Sequence, residues 1–102
     1  MNIATMTVQP NPYKKSGWCA GFDWSVQVPN DISGLTMHST MDGDQPAYNR
    51  DFTGTVENLF QVCDLEFKSV ADYPKDGNTL RYLFKTESAA DLAIAIINGV
   101  ES

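Results

Sequence analysis

With 102 residues, 42% of them hydrophobic and 20% charged, the chain has the size and composition of one globular domain, which excludes an intrinsically disordered protein. The longest apolar run, Leu92 to Ile97, falls far short of the roughly 18 residues that a membrane span requires. The net charge of -6 argues against direct binding of nucleic acid, because Lys and Arg are needed to displace counterions from phosphate.

Two strands are predicted in the first part of the chain, where apolar and polar residues alternate. The first is Ile3 to Gln9, and the second and clearer one is Trp18 to Val28. The pattern predicts that one face of the second strand is core and that the other is exposed to solvent. The predicted core face comprises Phe22, Trp24, Val26 and Val28, and the predicted solvent face comprises Asp23, Ser25 and Gln27.

The middle of the chain predicts a weaker third strand over Leu35 to Met41. Asp42 to Pro46 has the composition of a turn, because Gly accepts positive φ and Asp bonds its own following backbone. A short fourth strand around Tyr48 to Phe52 is expected to follow. A helix is then predicted from about Thr55 to Cys63, with Thr53 or Thr55 as cap and one apolar face made of Val56, Leu59, Phe60 and Cys63.

The last third predicts a hairpin and a helix. Two alternating segments, one beginning at Leu65 and one running from Leu80 to Lys85, flank an Asp-Gly turn at Asp76. Ser88 and Asp91 have the spacing of a helix start, and Gly99 that of a helix stop, which predicts a helix over Ala89 to Asn98. This helix is apolar on nearly every face and needs a cover, either from the first helix or from a second copy.

The order β-β-β-(β)-α-β-β-α predicts an α+β fold over residues 1–102. We expect one domain with a single antiparallel sheet of about five or six strands and two helices packed on one face. The first residues lack the basic start and apolar run of a secretory signal, which predicts a cytoplasmic protein without membrane attachment. In that reducing compartment, Cys19 and Cys63 are expected to be free thiols.

No pattern of residues indicates a cofactor or a metal. His38 is the single histidine, and the chain has no paired Cys-x-x-Cys or His-x-x-x-His spacing for zinc. Asp42 and Asp44 match a fragment of a calcium loop but lack its ligand series and its closing Glu. Cysteine catalysis would need Cys19 or Cys63 beside His38, and no local motif supports it. We therefore expect neither enzymatic activity nor a cofactor.

The acidic residues are concentrated in the middle of the chain. From Ser16 to Phe67, eight acids face one base, Arg50, which gives this segment a charge of -7, whereas the remainder carries +1. Such a field attracts basic surfaces and accelerates encounter with them. A protein that itself binds DNA or RNA has such a surface, although acidic residues also serve solubility alone.

The leading hypothesis is therefore a non-enzymatic inhibitor that covers the phosphate-binding surface of a basic, nucleic-acid-handling bacterial protein or complex. Phage anti-CRISPR and antirestriction proteins, encoded by phages or mobile elements, act as nucleic-acid mimics in this way. The residues predicted to bind the partner are Asp23, Asp31, Asp42, Asp44, Tyr48 and Asp51. Tyr48 is the expected aromatic anchor among these acids.

Three alternatives stay open. An immunity protein that neutralises a cognate toxin would have the same charge, since a nuclease toxin has a basic active site. A structural module would form a homodimer through the C-terminal helix, because that helix is apolar all round. A small cysteine-dependent enzyme would use Cys19 or Cys63 and would lose its function when both are replaced by serine.

Overall fold

The structure is a computed structural model that describes residues 6–13, 15, 17–28, 36–41, 43–47, 50–72 and 79–101. For 36–40, 43–47, 50, 71–72, 79 and 101 the description covers the backbone. The described segments follow the predicted order β-β-β-β-α-β-β-α, with a short 3-10 turn at Gly17–Cys19. The elements are β1 Val8–Pro10, β2 Trp24–Val28, β3 Thr36–Thr40, β4 Gly43–Ala47, α1 Arg50–Val62, β5 Phe67–Asp72, β6 Thr79–Phe84 and α2 Glu87–Glu101.

The predicted α+β class with an antiparallel sheet is confirmed, but the main sheet has four strands instead of five or six. Its order is β1-β2-β6-β5, so that β6 lies between β2 and its hairpin partner β5. β3 and β4 form a separate two-stranded sheet in which Thr36 pairs with Ala47 and Thr40 with Gly43. The strands that were predicted to form one sheet thus belong to two separate sheets.

The predicted turn over Asp42 to Pro46 is wrong, because β4 occupies Gly43–Ala47. Gly43 and Pro46 have the composition of a turn, yet the backbone there pairs with β3. Pro46 is compatible with this strand because each strand of a two-stranded sheet has a free edge, where the missing N–H removes no ladder bond.

The predicted strand around Tyr48 to Phe52 is also wrong where the structure describes it, because α1 already begins at Arg50. Phe52, Val56 and Phe60 recur at i, i+4 and i+8 and are all buried, which makes them the true apolar stripe of α1. Thr53 and Thr55 lie inside the helix and do not cap it. Asp51 is in the first turn, where a carboxylate interacts favourably with the helix dipole.

The end of α1 is a left-handed cap built on Asp64. This residue has a φ of 58°, the Leu65 N–H donates to the Phe60 carbonyl (2.8 Å), and the Asp64 N–H donates to the Gln61 carbonyl (3.1 Å). These two bonds satisfy carbonyls that the last helical turn leaves unpaired. Cys63 therefore follows the helix and is exposed, which corrects its predicted place on the buried face.

Both helices pack on the same face of the main sheet, as predicted. Phe60 is completely buried at the centre of this core, and its ring makes edge contacts with Phe67, Tyr82 and Phe84 at centroid distances of 5.2, 5.2 and 5.5 Å. The Tyr82 hydroxyl donates to Glu57 Oε2 (3.2 Å). The other buried members of this core are Val26, Val28, Phe52, Val56, Leu80, Ala90, Ala93 and Ile97.

The opposite face of the sheet is also covered, which corrects the prediction that it is solvent-exposed. Leu83 is completely buried there against Cys19 and Phe22. Phe22 was predicted to lie on the helix side with Val26, but β2 begins only at Trp24. The alternation does not extend back to Phe22 because Gly21 has a φ of +88° and the 3-10 turn precedes it.

Polar side chains on this second face are bonded within the fold. Arg81 Nη1 donates to Gln9 Oε1 (2.9 Å) and to Ser25 Oγ (3.0 Å), and both Ser25 and Arg81 are buried. Asn11 Nδ2 donates to the Phe22 carbonyl (2.6 Å), which ties the segment after β1 to the chain that enters β2. The segment between these strands is therefore a structural layer over the sheet.

The start and the stop of α2 both differ from the prediction. Thr86 is the N-cap, since the Ala89 N–H donates to Thr86 Oγ1 (3.1 Å), whereas Ser88 lies inside the helix. Gly99 also lies inside the helix, which continues to Glu101. The spacing of Ser88 and Asp91 resembled a cap, but the helix starts two residues before the point that this pair indicates.

We expect Thr86→Ala to lower the free energy of unfolding by about 1 kcal/mol, because the substitution leaves the Ala89 N–H without its acceptor. Urea denaturation of the full chain measures this. Ser88→Ala is the matched control and should change stability by less than about 0.3 kcal/mol, since alanine is a good helix former. An equal loss in both variants would show that Thr86 is not the cap.

Candidate partner-binding surface

The described residues include three of the six predicted partner-binding residues. Asp23 and Asp51 are exposed, and Asp44 lies in β4 opposite Ser39. Asp31, Asp42 and Tyr48 lie outside the described residues. Asp23 follows Phe22 in the layer over one face of the sheet, whereas Asp51 lies in the first turn of α1, which packs on the other face. Whether these residues bind a partner stays a prediction.

The structure brings a different set of acids together in an open groove at one end of the main sheet. Three segments converge there: the turn from α1 into β5, the connection from β6 to α2, and the first turns of α2. The groove has a volume of about 380 Å³. The lining residues on which the chemistry depends are Asp64, Leu65, Glu66, Lys85, Ala89 and Leu92.

The hairpin register explains why these residues meet. Phe67 pairs with Phe84, so Glu66 and Lys85, one residue beyond each strand, lie side by side. Glu66 Oε2 and Lys85 Nζ are 2.6 Å apart. Both side chains are at least half exposed, so this ion pair contributes at most about 1 kcal/mol to stability.

The electrostatic balance of the groove is negative. Two carboxylates line it, those of Asp64 and Glu66. Lys85 is the one base among the lining residues and is held by Glu66. The positive end of a helix dipole is equivalent to roughly half a charge, so the two carboxylates exceed the combined positive charge of Lys85 and the start of α2. We call this site the acidic groove.

Apolar side chains form the floor of the acidic groove. Leu65 and Ala89 are partly buried, whereas Leu92 is 44% exposed although it belongs to a helix whose other large apolar residues pack on the core. An exposed leucine beside acids is a combination that protein interfaces use, since the apolar contact supplies affinity and the charges supply orientation and rate.

Two lysines lie near aromatic rings on the face of the sheet away from the helices, and one of them is Lys85 of the groove. Lys68 Nζ lies 5.9 Å from the centroid of the Trp18 ring and 5.3 Å from that of Phe22, and Lys85 Nζ lies 5.5 Å from the Phe22 centroid. These cation-π contacts hold two of the seven basic side chains against aromatic rings. Trp18 is 50% exposed and lies in the 3-10 turn, which corrects the prediction of a strand beginning at Trp18.

The two cysteines lie in different environments. Cys19 is buried, and its Sγ–H donates to the Tyr13 carbonyl (2.7 Å), whereas Cys63 is exposed beyond α1. His38 belongs to β3. Among the described residues, no three His, Cys, Asp or Glu side chains lie close enough to hold a metal ion. Neither of the two described helices has both the length and the apolar character to cross a bilayer.

Asp64 and Glu66 were not among the residues predicted to bind a partner. Both are more than twenty positions from Ala89 and Leu92, so no local spacing connects the two sides of the groove. The pairing of β5 with β6 brings the two sides together, but which residues meet there depends on the register of the hairpin. No family model, curated protein or solved structure matches this chain.

Proposed function

We propose that this protein is a non-enzymatic inhibitor that binds a basic, nucleic-acid-handling partner and covers the surface with which that partner holds phosphates. The observation that carries the proposal is the acidic groove, where the carboxylates of Asp64 and Glu66 lie beside an apolar floor that includes the exposed Leu92. The residues predicted from the sequence stay in the proposal as separate partner contacts, since Asp23 and Asp51 lie on opposite faces of the main sheet: Asp23, Asp31, Asp42, Asp44, Tyr48 and Asp51.

The physical logic is electrostatic. A chain of net charge -6 presents carboxylates at which a phosphate-binding surface would place its Lys and Arg side chains. Binding there would compete directly with nucleic acid, because both ligands would occupy the same cations. An immunity protein for a nuclease toxin would work by the same contacts, so the identity of the partner separates these two functions.

A homodimer through α2 has less support. The apolar residues that prompted this alternative are turned into the fold: Ala90, Ala93 and Ile97 are buried, and Ile94 and Ile96 pack against the same core. The helix is thus covered within one chain along most of its length, and Leu92 is its one strongly exposed large apolar side chain among the described residues.

The test is an affinity pulldown from a bacterial lysate at about 50 and about 500 mM salt, with the bound proteins identified by mass spectrometry. We expect a basic protein that is retained at low salt and released at high salt, because screening weakens exposed charge pairs. The purified partner should then lose its binding to labelled DNA or RNA when this chain is added. A partner that keeps its nucleic acid would contradict the proposal, as would retention of no basic protein.

A further inference from the structure

The size and lining of the acidic groove limit what can occupy it. A volume of about 380 Å³ is at the lower end of the range for small-molecule pockets, and this groove is open along one side. The floor offers apolar contact from Leu65, Ala89 and Leu92. An apolar side chain of a polypeptide fits such a shallow floor better than a cofactor, which needs a deeper enclosure.

The charges around the floor select the residues on either side of that apolar side chain. Asp64 and Glu66 lie on the side of the groove formed by the turn into β5. An anionic ligand at the start of α2 would meet these carboxylates and be repelled. Lysine or arginine would be attracted by them and would keep its apolar stem on the protein surface.

We propose that the acidic groove binds a basic polypeptide segment that inserts one leucine-sized side chain over Leu65, Ala89 and Leu92. Its flanking cations lie on Asp64 and on Glu66, where they compete with Lys85 for the Glu66 carboxylate. This inference rests on the proposed function and names the part of the partner that the groove recognises. Attraction by net charge alone would require only the lysines of the partner, whereas this inference requires a leucine as well.

The first experiment uses the full chain, labelled with ¹⁵N, and a synthetic peptide that alternates lysine with leucine, at low salt. We expect amide shifts concentrated at Leu65, Lys85, Ala89 and Leu92. Two matched peptides test the two chemistries separately: serine replaces leucine in one, and glutamate replaces lysine in the other. Each is expected to bind at least about tenfold more weakly than the original peptide.

Variants of the groove test the same contacts from the side of the protein. Asp64→Asn with Glu66→Gln should weaken binding of the lysine-leucine peptide about tenfold, and asparagine suits the left-handed backbone of Asp64, so the cap is kept. Leu92→Ala should weaken it about fivefold. Val62→Ala is the matched control, since Val62 is exposed on α1 and is not among the groove residues, and it should change affinity less than twofold.

The same variants separate this inference from the proposed function when the partner from the pulldown replaces the peptide. If Asp23→Asn with Asp51→Asn lowers the affinity for the partner while the groove variant does not, the inhibitor function stands and the groove inference is overturned. If the peptide binds in the groove but no partner is inhibited, the inhibitor function fails and the groove inference stands. Equal binding of the serine peptide overturns the groove inference, as do amide shifts that depend on the concentration of the chain alone, which would indicate a second copy.

Discussion

Replacing Phe60 by alanine is expected to lower the free energy of unfolding by about 4 kcal/mol. Phe60 is completely buried and makes edge contacts with three other aromatic rings, from both strands of the β5-β6 hairpin. Alanine would remove these contacts and leave a cavity that α1 and the sheet cannot both close. Because a domain of this size has roughly 5–15 kcal/mol of stability in total, the loss would be a large part of it.

Urea denaturation followed by tryptophan fluorescence measures this loss, and Leu59→Ala is the matched control on the same helix. Leu59 is 36% exposed, so its truncation should lower the free energy of unfolding by no more than about 1.5 kcal/mol. A Phe60 variant that unfolds at the same urea concentration as the Leu59 variant would contradict the placement of Phe60 at the centre of the core.

Replacing Leu83 by alanine is expected to cost about 3 kcal/mol, which tests the second covered face of the sheet. Leu83 is completely buried against Cys19 and Phe22 on the side away from the helices. If this face were exposed to solvent, the same substitution would lower the free energy of unfolding only slightly, because a leucine that already contacts water has little transfer free energy to lose. A buried face and a solvent-exposed face thus predict losses in the free energy of unfolding at Leu83 that differ by more than about 2 kcal/mol.

Leu92→Ala is the control for this measurement. Leu92 is the same residue type but 44% exposed, so its truncation should cost no more than about 1 kcal/mol in urea denaturation. If Leu83→Ala unfolds as easily as wild type, the segment from Asn11 to Phe22 does not seal this face and the sheet has a single core.

The parts of the fold that could be predicted are those whose signal is local. Strands β5 and β6 alternate in part and flank an Asp-Gly turn signal, and α2 shows a continuous apolar body, so the element type follows from the local sequence. The bounds were less accurate, since the cap of α2 depends on Thr86, which precedes the periodic segment. Helix termini are set by which hydroxyl reaches a free N–H, and several nearby residues have that chemistry.

The errors in the middle of the chain arose where tertiary partners decide between competing local preferences. Gly43 and Pro46 favour a turn, but β3 supplies backbone partners for an extended segment. Phe52 has a high strand propensity, yet its spacing to Val56 and Phe60 allows one helical stripe over β5 and β6. In both cases the deciding contact lies outside the window of residues in which the local pattern is evaluated.

The acidic groove could not be predicted because its position depends on the register of the hairpin. A two-residue loop at Asp76-Gly77 without a bulge would place Phe67 opposite Thr86, whereas Phe67 pairs with Phe84. A shift of two residues keeps every side chain on its face but changes which residues meet at the end of the sheet. The contact between Glu66 and Lys85, and with it the groove, follows from that register.

The placement of β6 between β2 and β5 determines when the fold can form during synthesis. Trp24 pairs with Phe84, about sixty residues later, so the two halves of the sheet are joined by contacts between distant parts of the chain. Closing so long a loop is slow compared with forming a helix or a hairpin. While the ribosome is still adding β6, the edge of β2 that pairs with β6 therefore has no neighbouring strand. We therefore expect the chain to be most prone to aggregation before its last quarter has emerged.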